Sequence, residues 1–95
     1  MAIKLTITST RPSVETPFFE YPQNFIIEIE EHEGCLQSVF SYPTPTTEVW
    51  ETIWENYDIY DRFYTISSCF VLLKQLRDPY NTANGITVED STSEQ

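Results

Sequence analysis

Glycine is nearly absent from this 95-residue sequence. Gly34 and Gly85 are the only two glycines. A loop that cradles phosphate groups needs several glycines so that the backbone can approach the ligand closely. The scarcity therefore excludes a P-loop or Rossmann-type nucleotide-binding enzyme.

Positively charged residues are also scarce. Five lysines and arginines stand against fifteen aspartates and glutamates, for a formal net charge of −10. A chain this acidic repels phosphate groups, so the composition argues against direct binding to nucleic acid or to an anionic membrane. The simplest role of the acids is a solvated surface. Carboxylates spaced regularly along one face would instead make an acidic decoy that mimics DNA.

Cysteine and long apolar runs are limited too. Cys35 and Cys69 form no CxxC motif, and free thiols are typical of a reducing compartment such as the cytoplasm. A disulfide between them stays an alternative. No apolar run approaches the roughly 20 residues of a membrane-spanning helix, so we expect a cytoplasmic protein without a membrane partner.

The first half of the chain has the alternation of β-strands. Residues 2–10 alternate apolar and polar side chains and predict a half-buried strand. Residues 25–42 predict a β-hairpin, because a two-residue turn at Glu33 and Gly34 places the apolar side chains of both arms on one face.

The second half has helical spacing. Apolar residues recur at helical intervals over residues 46–56, with Thr44 as N-cap and Pro45 at the first helical position. Residues 63–76 fit a helical stripe, although their β-branched and aromatic content leaves a strand as the alternative. Pro79 is expected to break or kink the chain.

These segments predict an α+β fold, in which a small antiparallel sheet is covered by the C-terminal helices. The sheet consists of the N-terminal strand and the 25–42 hairpin, and residues 86–88 add a short edge strand. We expect a single domain over residues 1–88. The remaining residues, 89–95, are polar and acidic and predict a mobile tail.

Few residues suggest catalysis. His32 and Cys35 flank the predicted turn, and a thiolate beside an imidazole is one kind of nucleophilic site. The surrounding glutamates raise a thiol pKa, so a solvated hairpin end is the stronger interpretation. Arg11 is a further candidate for a polar site. No residue set matches a metal or cofactor motif, and neither is expected.

Aromatic residues are the best functional lead, since six Phe, six Tyr and two Trp are many for one small core. Some are expected to form an interface with another chain or to line a pocket. The candidates are Phe18, Phe19, Tyr21, Trp50, Trp54 and Tyr57.

The order of segments resembles small ferredoxin-like proteins, and most closely the dimeric α/β-barrel group that includes the antibiotic-biosynthesis monooxygenases. The stretches IKLTITSTRP and LRDPYNTANGITV also resemble small uncharacterised proteins of marine bacteriophages and ocean metagenomes. The resemblance implies homodimers that form through the sheet, and a phage or marine microbial source, hence the host cytoplasm. The chain departs from the monooxygenase pattern because it is expected to lack a full first helix between its first two strands.

Three hypotheses about function follow. The first is a non-enzymatic structural or interaction protein that forms homo-oligomers through its sheet and aromatic residues. The second is a small-molecule binder or a cofactor-independent oxygenase, which requires an aromatic-lined pocket with a convergent polar group such as His32, Arg11 or a tyrosine. The third is the DNA-mimicking decoy.

Overall fold

The computed structural model describes residues 1–95. Four strands and three helices follow one another along the chain: β1 (Ile3–Thr10), α1 (Gln23–Glu30), β2 (Cys35–Thr44), β3 (Thr47–Trp54), α2 (Tyr57–Thr65), α3 (Ser68–Asn84) and β4 (Thr87–Glu94). The strands form one antiparallel sheet in the order β2-β3-β1-β4. The α+β, ferredoxin-like architecture is confirmed.

The first strand lies in the middle of the sheet, between β3 and β4. Ile3, Leu5 and Ile7 are buried against the helices, and the intervening residues face the opposite side. This is the clean period of two that predicted the strand. The helical side carries one core cluster, in which the strand residues pack against Ile29, Phe63 and Phe70.

The hairpin predicted at residues 25–42 is wrong in its first arm. Its first residues belong to α1, and the actual hairpin of the sheet joins β2 to β3. Phe25, Ile26 and Ile29 pack onto the core, whereas Ile27 is 45% exposed. That spacing is helical, and the period of two that Ile27 and Ile29 suggested was accidental. The helix α1 also corrects the expectation that the chain lacks a helix between its first two strands.

Gly34 does adopt the positive φ that a tight turn requires, but it joins α1 to β2 rather than two strands. Its φ is 82°, and a Cβ at this position would lie 2.5 Å from Cγ2 of Ile59. Any other residue here would be strained by the positive φ and would force the Ile59 side chain to move.

The helix predicted at residues 46–56 is also wrong, because this segment forms β3. Trp50 and Trp54 are buried on the helical side, and so are the polar residues Glu48 and Thr52. Pro45 lies in the two-residue turn between β2 and β3. Two polar residues on the buried face concealed the alternation, which made the helical spacing appear to be the better fit.

The helices of the second half are partly as predicted. Residues 63–76 are helical except for a break between α2 and α3 at Ile66 and Ser67. Pro79 lies inside α3 and does not end it. The helix ends at Gly85, which caps it in the left-handed conformation with φ 69°. None of the helices is both long and apolar enough to cross a bilayer.

The last residues of the chain are not the mobile tail that their composition suggested. Thr87–Glu94 forms β4 and pairs with β1 along its full length, from Ile3 opposite Glu94 to Thr10 opposite Thr87. Val88 is its one apolar residue and packs on the core. Backbone pairing, which a residue pattern does not reveal, holds this strand in place.

Candidate functional site

A pocket of about 260 Å³ opens between the loop that follows β1, helix α1 and the β2–β3 hairpin. We call it the aromatic pocket. It is lined by Phe19, Glu20, Tyr21, Gln23, Ile26, Phe40, Tyr42 and Glu48. An apolar cavity of roughly 150 Å³ already holds benzene, so this volume suits a ligand of one or two fused rings.

The inner wall of the pocket is a set of packed aromatic rings. The rings of Phe40 and Trp50 stack with centroids 4.9 Å apart and planes at 12°. The Tyr21 ring lies 5.0 Å from that of Trp50 and 5.1 Å from that of Phe19. Phe40 and Trp50 are opposite each other on β2 and β3. The sheet register therefore stacks Phe40 on Trp50, and the Phe40 ring in turn lines the pocket, where a planar ring can pack against it.

One carboxylate of the pocket is withdrawn from water. Glu48 is 6% exposed, and its Oε2 accepts a hydrogen bond of 3.0 Å from the Tyr42 hydroxyl. Burial raises the pKa of Glu48, and the hydrogen bond from Tyr42 lowers it in part. A carboxylate with a raised pKa is a stronger base than an exposed one, which suits it to accept a proton from a ligand.

The tyrosine hydroxyls of the pocket stay protonated at neutral pH. Burial raises the pKa of Tyr21, although the Arg77 guanidinium lowers it. Burial also raises the pKa of Tyr42, and the Glu48 carboxylate adds to that rise. The Tyr42 hydroxyl already donates its one hydrogen to Glu48, so the Tyr21 hydroxyl is the one that can donate to an oxygen of a ligand.

A second cavity, of about 240 Å³, lies at the start of α2 and is mostly polar. It is lined by His32, Glu33, Asn56, Asp58, Ile59 and Arg62. The His32 ring packs edge-on against Trp54 and Phe63, and its Nδ1 lies 3.0 Å from the Glu33 carbonyl oxygen. No three His, Cys, Asp or Glu side chains come together here or elsewhere as a metal site.

The two residues of the suggested nucleophilic pair are joined through their backbones. The Cys35 N–H donates to the His32 carbonyl, while the Cys35 thiol donates to the Gln37 carbonyl at 3.6 Å. Burial raises the pKa of Cys35, and nearby Glu30 adds to the rise. Both cysteines are free thiols, and burial raises the pKa of Cys69 to about 11. Neither environment activates a thiolate.

The aromatic candidates fall into different environments. Phe19 and Tyr21 line the aromatic pocket, and Trp50 lies behind them. Trp54 is fully buried at the other end of β3, whereas Tyr57 is 58% exposed on α2.

The remaining candidates support the loop after β1. The Arg11 guanidinium lies 4.5 Å from the Phe18 ring centroid and donates to the backbone carbonyls of Pro45 and Thr16. These contacts tie the loop to the β2–β3 turn, so Arg11 shapes the pocket from outside. Phe40, Tyr42 and Glu48 were not predicted as site residues. Phe40 and Tyr42 were predicted on a strand, which is correct, but as part of its apolar face. Glu48 was assigned to a helix.

Solved structures with the same fold provide a comparison. A conserved protein from Bacteroides thetaiotaomicron, suggested to be an oxidoreductase, superposes with a TM-score of 0.76 at 11% identity, over 99% of this chain and 97% of the other. SnoaB, a cofactor-independent oxygenase from Streptomyces nogalater, gives 0.64 at 13% identity, over 99% and 92%. A protein from Caulobacter crescentus, proposed to be an antibiotic biosynthesis monooxygenase, gives 0.68 at 13% identity, over 99% and 91%.

This chain has the ferredoxin-like fold of the antibiotic-biosynthesis monooxygenases. The resemblance in fold is thus confirmed. Sequence identities this low do not show that the chain shares an activity with these proteins. No protein-family model and no curated protein sequence matches the chain. None of these comparisons supports a marine or phage origin.

Proposed function

We propose that this protein binds a small planar aromatic molecule in the aromatic pocket and oxidises it with molecular oxygen, without a cofactor. The observation that carries the proposal is a buried carboxylate, Glu48, in a pocket lined by the aromatic rings of Phe19, Tyr21 and Phe40. The fold is shared with SnoaB, a cofactor-independent oxygenase, and that likeness is an analogy of fold only.

The reaction requires a base that accepts a proton from the ligand and aromatic side chains against which the ligand packs. A phenol that lies against the rings of Phe40 and Tyr21 gives its proton to Glu48, and the resulting phenolate is electron-rich enough to react with O₂. For 1-naphthol the overall reaction is one naphthol plus one O₂ to one 1,4-naphthoquinone plus one water. Both the oxygen atom gained by the ring and the oxygen atom of the water come from O₂.

Replacing Glu48 by Gln will separate binding from oxidation. We expect 1-naphthol to bind to the wild type and to Glu48→Gln with Kd values within threefold, as measured by quenching of tryptophan fluorescence. The oxidation rate, followed with an oxygen electrode and by quinone absorbance, should fall about 100-fold or more because the proton acceptor is gone. Glu51→Gln is the matched control, since Glu51 lies on β3 but on the opposite face, paired with Lys4 at 2.9 Å.

Stability provides a check that Glu48→Gln is folded. The folded protein holds the Glu48 proton more tightly than the unfolded chain, so wild-type stability falls as the pH rises above the unfolded pKa and through the raised folded pKa. The glutamine variant lacks this loss and should be at least as stable as the wild type at pH 8. Absence of 1-naphthol binding to the wild type, or equal oxidation rates in wild type and Glu48→Gln, would overturn the proposal.

The first hypothesis, self-association, is favoured by a separate observation. All three helices pack on one side of the sheet, and the other side, which we call the outer face, is not covered by this chain. Its residues are Lys4, Thr6, Thr8, Thr10, Gln37, Val39, Ser41, Thr47, Val49, Glu51, Ile53, Thr87, Glu89, Ser91 and Ser93.

The charge of the outer face suits a second copy of the chain. It carries one lysine against two glutamates, Glu51 and Glu89, whereas the whole chain has a net charge of −10. Two copies therefore repel each other less through this face than through any acidic surface. The face contains no aromatic residue, so the aromatic candidates are not part of this proposed interface.

Introducing a charge at the centre of the outer face will test this association. We expect wild-type protein to sediment at twice the monomer mass of 11.1 kDa at tens of micromolar, and Val49→Asp to sediment as a monomer with an unchanged circular dichroism spectrum. Val14→Asp makes the same substitution on the exposed loop after β1 and should stay dimeric. A monomeric wild type would rule out the association, and a dimeric Val49→Asp would rule out this face.

A further inference from the structure

The second cavity, which we call the polar cavity, collects charged side chains of both signs. Two of its lining residues are acids, Glu33 and Asp58, and one is a cation, Arg62. His32 and Asn56 add hydrogen-bonding groups to the same wall. The polar cavity shares no lining residue with the aromatic pocket, so a ligand here would be additional to the one proposed there.

Arg62 is the only one of the five lysines and arginines whose charged group has no hydrogen bond, ion pair or ring contact within the chain. Lys4 and Arg77 form ion pairs with acids. Arg11 donates to backbone carbonyls, and Lys74 lies over two aromatic rings. Because fifteen acids offer partners to every cation, the free guanidinium of Arg62 is available to a ligand of the polar cavity.

The expected partner of Arg62 is Asp58, four residues earlier on α2. An acid at this spacing before a cation ordinarily forms an ion pair on a helix. No such pair forms here, and Arg62 does not pair with Glu33 either, although all three residues line the polar cavity. The cavity therefore holds one cation and two carboxylates apart, each without an ion-pair partner.

Two further side chains of the polar cavity are held in place by hydrogen bonds. Asn56 Oδ1 accepts from the Ile59 N–H at 3.0 Å, which caps α2 and leaves the side-chain amide of Asn56 as a donor. His32 Nδ1 donates to the Glu33 carbonyl at 3.0 Å, since a carbonyl oxygen only accepts. Side chains that are fixed in advance lose less entropy when a ligand binds.

We propose that the polar cavity binds a small zwitterionic α-amino acid. The ligand carboxylate accepts hydrogen bonds from Arg62 and Asn56, and the ligand ammonium donates to Asp58 and Glu33. A simple anion would be repelled by the two acids and a simple cation by Arg62, whereas an α-amino acid carries both charges on one carbon atom.

The size and the apolar part of the polar cavity suit an aliphatic side chain on that amino acid. Ile59 is the one apolar lining residue, and it offers a contact to a few methyl groups. The volume of about 240 Å³ exceeds the roughly 150 Å³ that holds benzene. An amino acid of the size of valine therefore fits.

Three probes that differ in one charged group test this ligand class. L-Valine carries both charges, isovalerate lacks the ammonium, and isobutylamine lacks the carboxylate. We expect calorimetric titration of the wild type to give a Kd for L-valine at least about tenfold lower than for either of the others, because each lost group removes a charge-assisted hydrogen bond. Amide NMR spectra should show shifts at the Asn56 side chain and the Ile59 N–H.

Variants of α2 test the role of each charge. Arg62→Gln should raise the Kd for L-valine about tenfold or more and bring it close to that for isobutylamine, and Arg62→Lys should restore part of the loss. Arg62 is exposed, so an unchanged circular dichroism spectrum is expected. Lys4→Gln is the control with the same charge change, since Lys4 lies on the outer face, and it should bind L-valine like the wild type.

The acids are compared in the same way. Asp58→Asn should weaken L-valine and isobutylamine but not isovalerate, because only the first two carry an ammonium group. Asp61→Asn removes an acid from the same helix that does not line the polar cavity, and it should leave all three affinities unchanged.

Several results would overturn the proposal. The wild type might fail to bind L-valine at millimolar concentrations, or Arg62→Gln might bind it as tightly as the wild type does. Equal affinities for isovalerate and L-valine would make the polar cavity an anion site, and equal affinities for isobutylamine and L-valine would make it a cation site. Failure of 1-naphthol to bind would contradict only the function proposed for the aromatic pocket.

Discussion

Deletion of residues 89–95 will unfold the protein or lower its free energy of unfolding by at least about 3 kcal/mol. These residues make up most of β4, which pairs with the central strand β1 along its length. Each backbone hydrogen bond contributes roughly 0.5–1.5 kcal/mol net, and the deletion also uncovers one edge of β1. Urea denaturation followed by circular dichroism measures the effect.

The control for the deletion keeps the backbone of β4 and changes its outer side chains. The triple variant Glu89→Gln, Ser91→Ala and Ser93→Ala alters only exposed positions, and surface changes of this kind stay within about 0.5 kcal/mol each. If the deletion variant unfolds at the same urea concentration as the full chain, residues 89–95 are a tail and the strand pairing is wrong.

Trp54→Ala will destabilise the protein by about 3–5 kcal/mol, the usual cost of removing a large buried aromatic side chain. Trp54 is 0% exposed, and its ring stacks on Phe63 with centroids 4.2 Å apart. Its Nε1 donates to Thr52 Oγ1 at 2.9 Å, so the loss also leaves a buried hydroxyl without its donor. Against a total stability of roughly 5–15 kcal/mol, this change leaves little margin.

Tyr57→Ala is the matched control, because Tyr57 was predicted to serve the same interface as Trp54 but is 58% exposed. We expect it to change stability by less than about 1 kcal/mol. Both variants are compared by thermal and urea denaturation at several protein concentrations. A Trp54→Ala variant that keeps wild-type stability and loses only self-association would show that Trp54 belongs to an interface.

The sequence predicted an element correctly where a single physical cause determines its residue pattern. The strand β1 alternates strictly because one face meets the core and the other does not. Gly85 marks the end of α3 because only glycine adopts its conformation easily. Phe70 and Leu73 recur at helical spacing on α3 because both are buried in the core.

The errors lie where two patterns coincide or where polar residues are buried on the core face. Ile27 and Ile29 fit either period, and their long-range contacts decide between them. The core face of β3 includes Glu48 and Thr52. A buried acid does not help the fold to form, so an apolar residue is expected at such a position. The misassigned strand β3 is therefore also the strand that carries the candidate base.

The sequence predicted that aromatic residues would form the candidate site, but it did not predict where in the fold the site lies. Phe19 and Tyr21 were recognised as aromatic residues with a role beyond the core, and they line the aromatic pocket. Their partners Phe40 and Glu48 come from β2 and β3, so the pocket depends on a strand register that no local pattern specifies.

The position of β1 in the sheet sets the order of events during synthesis. Strand β1 precedes both of its neighbours, residues 47–54 and 87–94, so Ile3 can meet Glu94 only after residues 4–94 have been made. At roughly 5–20 residues per second, the edge of β1 that pairs with β4 stays unpaired for about 5–20 s. Pairings this distant in sequence also slow folding. The contacts that complete this sheet therefore form later than those of a helical bundle of the same length, which join mostly neighbouring segments.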